Sequence, residues 1–466
     1  MTKRDFLKTA GLGVIAAPGI LSALPPLTPA PAPFNGDLPL AGEWDVAIAG
    51  GGPAGVAAAV WAARTGAKTL LVERYGVLGG MLTLGHVSPL LGMTAKNPFI
   101  DDEIINLLRS PENAPPGRTR NGREIYYNHE GAKACLHEIV AKSGADIFLQ
   151  TPVIGVTKDG SRLSGLVVST PRGLALVKAR VFIDATGDGN LAFLAGAPFE
   201  MGRASDGRCQ PATLEFCLEN VDEARGLFAF GGSDPVTLPD GKPYRELCAE
   251  ARARGELPEF VSIVRLHPAA SKGERNVNAT QANGFDTLDP LEISAAMLEL
   301  QRQIPRIVAF LRKHVPGYEN CRVKSSASTL GVRESRRVMG DYMLADADVE
   351  HGARFADAVV HEAWFLIDIH NPAGGGQAEG RSRIPKSYDI PYRCLLPRKV
   401  EGLLTAGRCI SGTHRAHASY RVMGIALALG QAAGVAAALS VQKGVTPRQV
   451  DPAHIRQVLA SHGVAL

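Results

Sequence analysis

Asp45-Val46-Ala47-Ile48-Ala49-Gly50-Gly51-Gly52-Pro53-Ala54-Gly55, followed by a second apolar run, Thr69 to Val72, that ends in Glu73, decides the fold of this chain. Val46, Ile48 and their neighbours read as a short buried strand. Gly50, Gly52 and Gly55 then supply a tight turn, bare backbone beside a pyrophosphate, and a close helix-to-strand contact. A helix starting near Pro53 points its unpaired N–H groups and positive dipole end at the phosphates, and a proline early in that helix forfeits no useful donor. Ala57 to Ala63 is nearly all small and apolar, so the helix can lie close on a sheet. Glu73 stands about 20 residues beyond the turn, where a carboxylate accepts the hydroxyls of an adenosine ribose. A glycine motif alone says little. Here strand, turn, small-residue helix, second strand and acid arrive in order, which is a nucleotide-binding β-α-β unit.

At 466 residues the chain exceeds what one compact core holds, so two intimately connected domains are expected. The formal net charge is +4, with Lys3, Arg4, Lys8 and Asp5 crowded at the extreme N-terminus, and nothing in this balance points to nucleic acid. Residues 1–33 read as an export signal: a basic start, Thr2 to Lys8, an apolar run, Ala10 to Leu24, and a proline-rich stretch through Pro33. The segment resembles a twin-arginine signal with lysine in the first basic position. Its apolar run is short and broken by glycines and a proline, so no integral membrane span is expected beyond the signal. The alternatives are a disordered extension or a lipid-surface anchor, with cytoplasmic residence if the signal does not function.

Cys135, Cys209, Cys217, Cys248, Cys321, Cys394 and Cys409 are scattered, with no Cys-x-x-Cys pair and no haem attachment motif. Such a set suggests buried thiols in a protein folded in a reducing compartment. A twin-arginine route, which carries folded proteins with their cofactor, reconciles those thiols with export. Cys394 and Cys409 have no resolving partner nearby in sequence, so a disulfide reductase is not expected.

The remaining pattern predicts an α/β fold: a Rossmann-like nucleotide-binding domain split in sequence, with an inserted α+β substrate or cap domain. The first part spans 44–204, the insert 205–394, the last part 395–445, and a C-terminal helix or tail 446–466. Within the first part, a helix from about Glu130 to Lys142 precedes candidate strands Asp146 to Thr151 and Ser164 to Thr170, with hairpin residues Lys158-Asp159-Gly160 between them. Residues 111 to 124, with Pro111, Pro115, Pro116 and Gly117, read as an exposed excursion. The strand Ala179 to Ala185 ends in Thr186-Gly187-Asp188-Gly189, which places polar groups at a ligand-binding sheet edge. Helical stretches around Tyr244 to Arg254 and Leu291 to Lys313 lie in the insert. Late in the chain, the strand at Gly402 to Thr405 leads to a small-residue helix, Val422 to Val441. Its Gly424, Gly430 and Gly434 cost helix propensity unless the helix presses on a cofactor or the sheet.

Taken together, Asp45 to Gly55, Glu73 to Thr83, Phe182 to Gly189, Gly331 to Arg337, Ile390 to Pro397 and Leu403 to Gly434 resemble the FAD-dependent oxidoreductases of the glutathione-reductase-like flavoprotein fold. The resemblance implies FAD as resident cofactor. It places Gly50, Gly52 and Gly55, with Pro53 and Ala54, at the pyrophosphate, Glu73 and the adjacent Arg74 at the adenosine ribose, and Val153 at the adenine edge. It also implies Gly80 and Met81 by the ribityl and flavin region, the turn Ala185, Thr186, Gly187 and Asp188 along the cofactor, and Gly407 under the ribityl phosphate. Met423 and Gly424, at a helix start, would face the flavin pyrimidine ring and stabilise charge arriving with hydride. Arg408 departs from the pattern, because many related flavoproteins carry an acid there.

FAD carries the redox chemistry, so the protein has to position a substrate and manage one proton. Arg333, Arg336 and Arg337 form a compact basic motif from which one arginine is placed to clamp a carboxylate or to steady reduced flavin, the competing reading being internal salt bridges with Glu334 and neighbouring acids. His414 and His417, between the late strand and the helix at Val422, are the candidate proton acceptors for an alcohol substrate, with His86 a weaker one. Their three-residue spacing raises a metal pair, but no third ligand follows, and no metal is expected. Asp368 and His370 precede the loop Asn371 to Gly376, read either as a site cover or as a plain surface excursion. The expected protein is an exported FAD-dependent dehydrogenase of a small polar substrate, an alcohol or sugar-like compound, with a separate electron acceptor. The alternatives are a fumarate-reductase-like flavoprotein acting on a dicarboxylate, and a non-catalytic electron-relay flavoprotein.

Overall fold

Strand β1 (Leu40–Ala49) lies at the centre of a seven-stranded sheet in the computed structural model, which describes residues 37–109, 125–231, 235–380 and 382–466. The expected export signal and the proline-bearing excursion at 111–124 fall outside the described residues. The last four residues of β1 are buried, as is all of β2 (Thr69–Val72), because parallel strands here are covered on both faces. β1 pairs in parallel with β2 and with β6 (Gly173–Asp184), and β2 pairs in parallel with β3 (Asp146–Phe148). β4 (Val153–Asp159) and β5 (Arg162–Thr170) form an antiparallel hairpin against the first half of β6, giving the order β3-β2-β1-β6-β5-β4. The last residues of β6 instead take the late strand Leu403–Thr405 in parallel, with Leu403 beside Phe182 and Thr405 beside Asp184.

The hairpin differs from the expected one. The strand predicted over Asp146 to Thr151 stops at Phe148, where Gln150 turns with a positive φ of 52° and Pro152 follows. The partner of β5 is therefore β4, and β3 belongs to the parallel edge. Helix α1 (Pro53–Arg64) follows the glycine turn, and α2 (His129–Lys142) starts one residue before the predicted helix, where Asn128 accepts a hydrogen bond from the Glu130 N–H.

A second buried cluster, running from Ala212 to Leu330, forms around a four-stranded antiparallel sheet. Its strands are β7 (Phe216–Glu219), β8 (Arg265–Pro268), β9 (Arg275–Asn278) and β10 (Arg322–Ser326), in the order β10-β7-β9-β8. Helix α3 (Pro290–His314) covers it with Ala296, Leu300, Ile307 and Leu311 buried on one face at helical spacing. Asp289 caps α3 by accepting from the N–H groups of Leu291 and Glu292. The chain rejoins the first core earlier than residue 395. Leu344, Val349, Val359, Ile390 and Leu395 pack with α1 and the sheet rather than with the second cluster.

α4 (His414–Tyr420) and α5 (Met423–Lys443) complete the nucleotide-binding unit. α5 is long and apolar enough to cross a membrane, yet every residue from Met423 to Val441 is buried in the fold. Its glycines press against α1 and a loop rather than the sheet. A Cβ at Gly430 would meet the Ala54 carbonyl, one at Gly434 the Ala58 carbonyl, and one at Gly424 the Gly92 carbonyl. The helices thus touch backbone to backbone, which accounts for glycines that otherwise weaken a helix.

Candidate functional site

The glycine turn, α1 and the ends of β2 and β6 open onto a continuous cleft of about 390 Å³. A Cβ at Gly55 would fall 1.7 Å from the Gly50 carbonyl oxygen, so only glycine closes this turn. Gly52 differs: a Cβ there would meet nothing within 4 Å and would stand in the cleft beside the uncapped first turn of α1. That bare backbone at a helix start is a cradle for phosphate. The buried Glu73 carboxylate accepts from the N–H groups of Gly51 and Tyr75, which fixes it in the cleft wall at the end of β2. Gly80, with φ of 52°, brings the next loop onto the turn, and Gly79 donates its N–H to the Gly51 carbonyl.

Across the cleft, the buried Asp184 accepts from the Ala192 N–H and from both the N–H and hydroxyl of Thr186, holding the turn at Ala185 to Gly187. Asp188 pairs with Arg408 at 2.6 Å and accepts from the Ser335 hydroxyl at 2.8 Å. Burial opposes ionisation of Asp188, but the Arg408 charge and these hydrogen bonds outweigh it and hold the carboxyl below its usual range. Arg408 therefore neutralises an acid of the turn, which is its structural reason for standing at that position.

Gly50, Gly52, Pro53, Ala54, Glu73, Arg74, Gly80, Met81, Val153, Ala185, Thr186, Gly187, Asp188, Gly407, Arg408 and Met423 all line this one cleft. Gly55 and Gly424 sit behind it, closing the turn and seating α5. Arg333 lines it as well, together with Glu215 and Asn278 from the second sheet region and Asp368, His370 and Arg421. His370 Nε2 lies 3.2 Å from Asp368 Oδ2, and Arg421 donates to the same oxygen at 3.0 Å. Burial, then the nearby Arg333 charge, pushes His370 down to about 3 despite Asp368, so the imidazole is neutral. Burial disfavours the charged form of Asp368, but the His370 hydrogen bond and the Arg421 charge overcome it and keep the carboxyl well below its ordinary value. Burial drives Glu215 up to about 8 against the pull of Arg333, leaving a protonated acid in the wall.

The two histidines expected to act on the substrate do not line the cleft. His414 Nδ1 bonds the fully buried Glu334 at 2.8 Å, and the same carboxylate pairs with Arg337 and accepts the Gln210 N–H. His417 is buried against Tyr420, and burial, reinforced by Arg337, holds it well below its ordinary value. These contacts tie α4 to the arginine motif. Arg336 likewise bonds the Asp188 carbonyl and lies over the Phe193 ring at 4.2 Å, leaving Arg333 as the arginine of the motif that reaches the cleft. His86 stacks on His129 at 4.7 Å, away from the cleft lining. The Asn371 to Gly376 loop is pinned to the second unit, since Gln281 donates to the Gly374 carbonyl and Asn283 to the Asn371 carbonyl. Sequence reasoning missed Glu215 and Arg421. The signal for Glu215 is an acid between Leu214 and Phe216 in an apolar run, and for Arg421 its place between two helices of the late segment.

Among the described residues no group of three or more His, Cys, Asp and Glu side chains is arranged to hold a metal. A sheet whose first parallel βαβ turn offers a phosphate cradle and whose first acid stands in the wall of a long cleft is the architecture of a dinucleotide-binding protein. The chain belongs to the FAD dependent oxidoreductase family, which it matches over residues 45–459. FAD is its cofactor, and the open cradle at Gly52 with the fixed carboxylate of Glu73 fits that group. Digeranylgeranylglycerophospholipid reductase of Picrophilus torridus is 28% identical over 256 residues, covering 50% of this chain and 64% of that protein. Thiamine thiazole synthase of Aeropyrum pernix is 32% identical over 157 residues, covering 31% of this chain and 54% of that protein. The chain thus spans less than two thirds of the length of either relative. A geranylgeranyl bacteriochlorophyll reductase-like structure from Thermoplasma acidophilum superimposes with a TM-score of 0.46 at 17% identity, covering 90% of this chain and 82% of that one.

Proposed function

We propose that this FAD-dependent oxidoreductase dehydrogenates a small polar substrate at an alcohol carbon, with His370 accepting the hydroxyl proton. The Asp368–His370 pair in the wall of the FAD cleft carries this reading. FAD supplies the two-electron acceptor for hydride. The neutral imidazole of His370 offers a lone pair, and Asp368 orients the ring and stabilises the imidazolium that forms. Arg421 holds Asp368 from its other side, so the carboxylate stays aimed at His370.

Anaerobic mixing of the FAD-loaded protein with a panel of alcohols, sugars and hydroxy acids tests this. At least one compound is expected to bleach the flavin, and His370→Asn to slow that bleaching about 10²-fold with flavin content retained. Bleaching at the wild-type rate in that variant refutes the assignment.

Reduction of an unsaturated acid, as in the fumarate reductase flavoproteins, is a second reading, favoured by the protonated Glu215 beside Arg333, which provides a proton donor in the wall. Turnover of fumarate with reduced dye, without alcohol oxidation, decides for it. Export by the twin-arginine route is part of the proposal too, supported by the N-terminal pattern and by seven cysteines that form no disulfide. A reporter fused behind the first forty residues that stays in the cytoplasm refutes it.

A further inference from the structure

The end of the cleft that holds His370 carries more positive charge than its own acids balance. Arg333 and Arg421 both line it, and after burial the Arg421 charge is the largest influence that lowers Arg333. Against them stands one ionised acid, Asp368, already shared between His370 and Arg421. The other acid, Glu215, is held protonated by its burial. Arg333 donates to the Pro211 carbonyl at 2.8 Å, and among the described residues it makes no ion pair. Two polar atoms here are buried without a hydrogen-bond partner, Arg421 Nε and Glu215 Oε2. A buried guanidinium without a counter-charge is costly, and an unmade hydrogen bond on a charged group adds to that cost.

We propose that Arg333 and Arg421 form an anion subsite, and that the substrate is a hydroxy acid held there by its carboxylate rather than a neutral sugar or simple alcohol. A carboxylate offers two oxygens in a plane that matches the guanidinium fork, and it supplies the missing negative charge. The protonated Glu215 carboxyl is a further donor for the same anion. Binding also assists the base: the anion offsets the Arg333 charge, the second cause after burial that holds His370 down, and so returns part of the imidazole's basicity when substrate is present. The inference rests on the reading that substrate meets FAD in this cleft.

The test uses the FAD-loaded protein and two small probes of one shape, acetate and acetamide, followed by titration calorimetry and by the change each makes in the flavin absorbance. Acetate is expected to bind saturably and at least about tenfold more tightly than the neutral amide. Arg333→Gln is expected to remove that preference, and Arg333→Lys to restore part of it. Equal affinity for the two probes, or no saturable acetate binding to the unaltered protein, overturns the proposal without any variant having to fold. If neutral sugars bleach the flavin while acetate does not bind, the anion subsite falls and the redox reading stands. If acetate binds as expected but no hydroxy acid bleaches the flavin, the subsite stands and the redox reading falls.

Discussion

Gly430→Ala puts opposing effects in one residue. In an isolated helix the change is favourable by about 1 kcal/mol, because alanine is the stronger helix former. Here the added Cβ would lie 2.0 Å from the Ala54 carbonyl oxygen, whereas real Cβ atoms essentially never approach a heavy atom within 3.0 Å. α5 and α1 must therefore part by about 1 Å at this point, and a gap of that size forfeits about a quarter to a half of each contact's dispersion energy. Overpacking costs about 1–3 kcal/mol, and the upper end applies because a main-chain carbonyl cannot rotate aside as a side chain can. The net expectation is a loss of about 2 kcal/mol. Ala54 also lines the cleft, so the displaced α1 carries the phosphate cradle with it and FAD binding weakens as well. Gly434→Ala meets the Ala58 carbonyl, one turn farther along α1 and outside the cleft lining, so it should lose stability while FAD affinity changes less. Denaturant unfolding and flavin titration of the two variants read both effects. An unchanged or raised stability for Gly430→Ala would refute the backbone contact between the helices.

Glu73→Ala removes a carboxylate that faces the cleft and accepts two main-chain N–H groups, and it should weaken FAD binding by at least about tenfold, read by flavin titration. Glu215 has a folded value of about 8, above its ordinary 4.5, so ionising it disfavours the fold. Stability should fall as pH rises from about 4.5 through about 8, and Glu215→Gln should flatten that slope in denaturant unfolding at pH 6 and pH 9. Asp188 has the opposite sign: its depressed value contributes stability above the ordinary carboxylate range, lost as pH falls through the folded value. Arg408→Ala leaves burial opposed only by the Ser335 hydrogen bond and the Arg74 charge, so that contribution shrinks and the loss of stability on acidification becomes shallower in the same unfolding experiment. Cys135 and Cys209 are both half-buried, but burial pushes the Cys209 thiol up to about 12, so a thiol reagent should label Cys135 first in the folded protein and all seven cysteines in denaturant; fewer than seven in denaturant would reveal a disulfide.

The cofactor half of the site was legible because its residues act through backbone shape and local order. Gly50, Gly52 and Gly55 have steric roles that no other residue fills, and Glu73 follows at a distance set by one helix and one strand. The substrate half was legible only in part: Arg333, Asp368 and His370 were singled out, but which groups meet there depends on charged residues that converge from distant segments. His414 and His417 lie on a helix in the right part of the chain, but their direction is set by Glu334, eighty residues earlier, which draws one of them into a structural ion cluster. Arg333, Arg336 and Arg337 look equivalent in sequence. Only the packing of Phe193 under Arg336 and of Glu334 on Arg337 leaves Arg333 for the cleft. The late glycines gave the right conclusion, a surface pressed closely, with the wrong neighbour, since a glycine pattern records close approach but not what approaches.

The division of the chain follows from β6. Its edge away from β1 is shared, the first half taken by β5 and the last three residues by Leu403–Thr405. The chain can therefore leave after Asp184, build the second unit, and return to the same strand without opening the sheet. The departure lies at the carboxyl end of β6, where such sheets bind ligands, and the returning strand delivers Gly407 and Arg408 to the same edge at its own carboxyl end. Every group of the anion end belongs to that excursion or its return: Glu215 beside β7, Arg333 after β10, Asp368 and His370 in the loop after the strand Ala358–Ala363, and Arg421 between α4 and α5. The FAD cradle belongs to the strands that never leave. Substrate recognition can thus change by altering the excursion, while Gly52, Glu73 and the α1–α5 contact keep the cofactor in place.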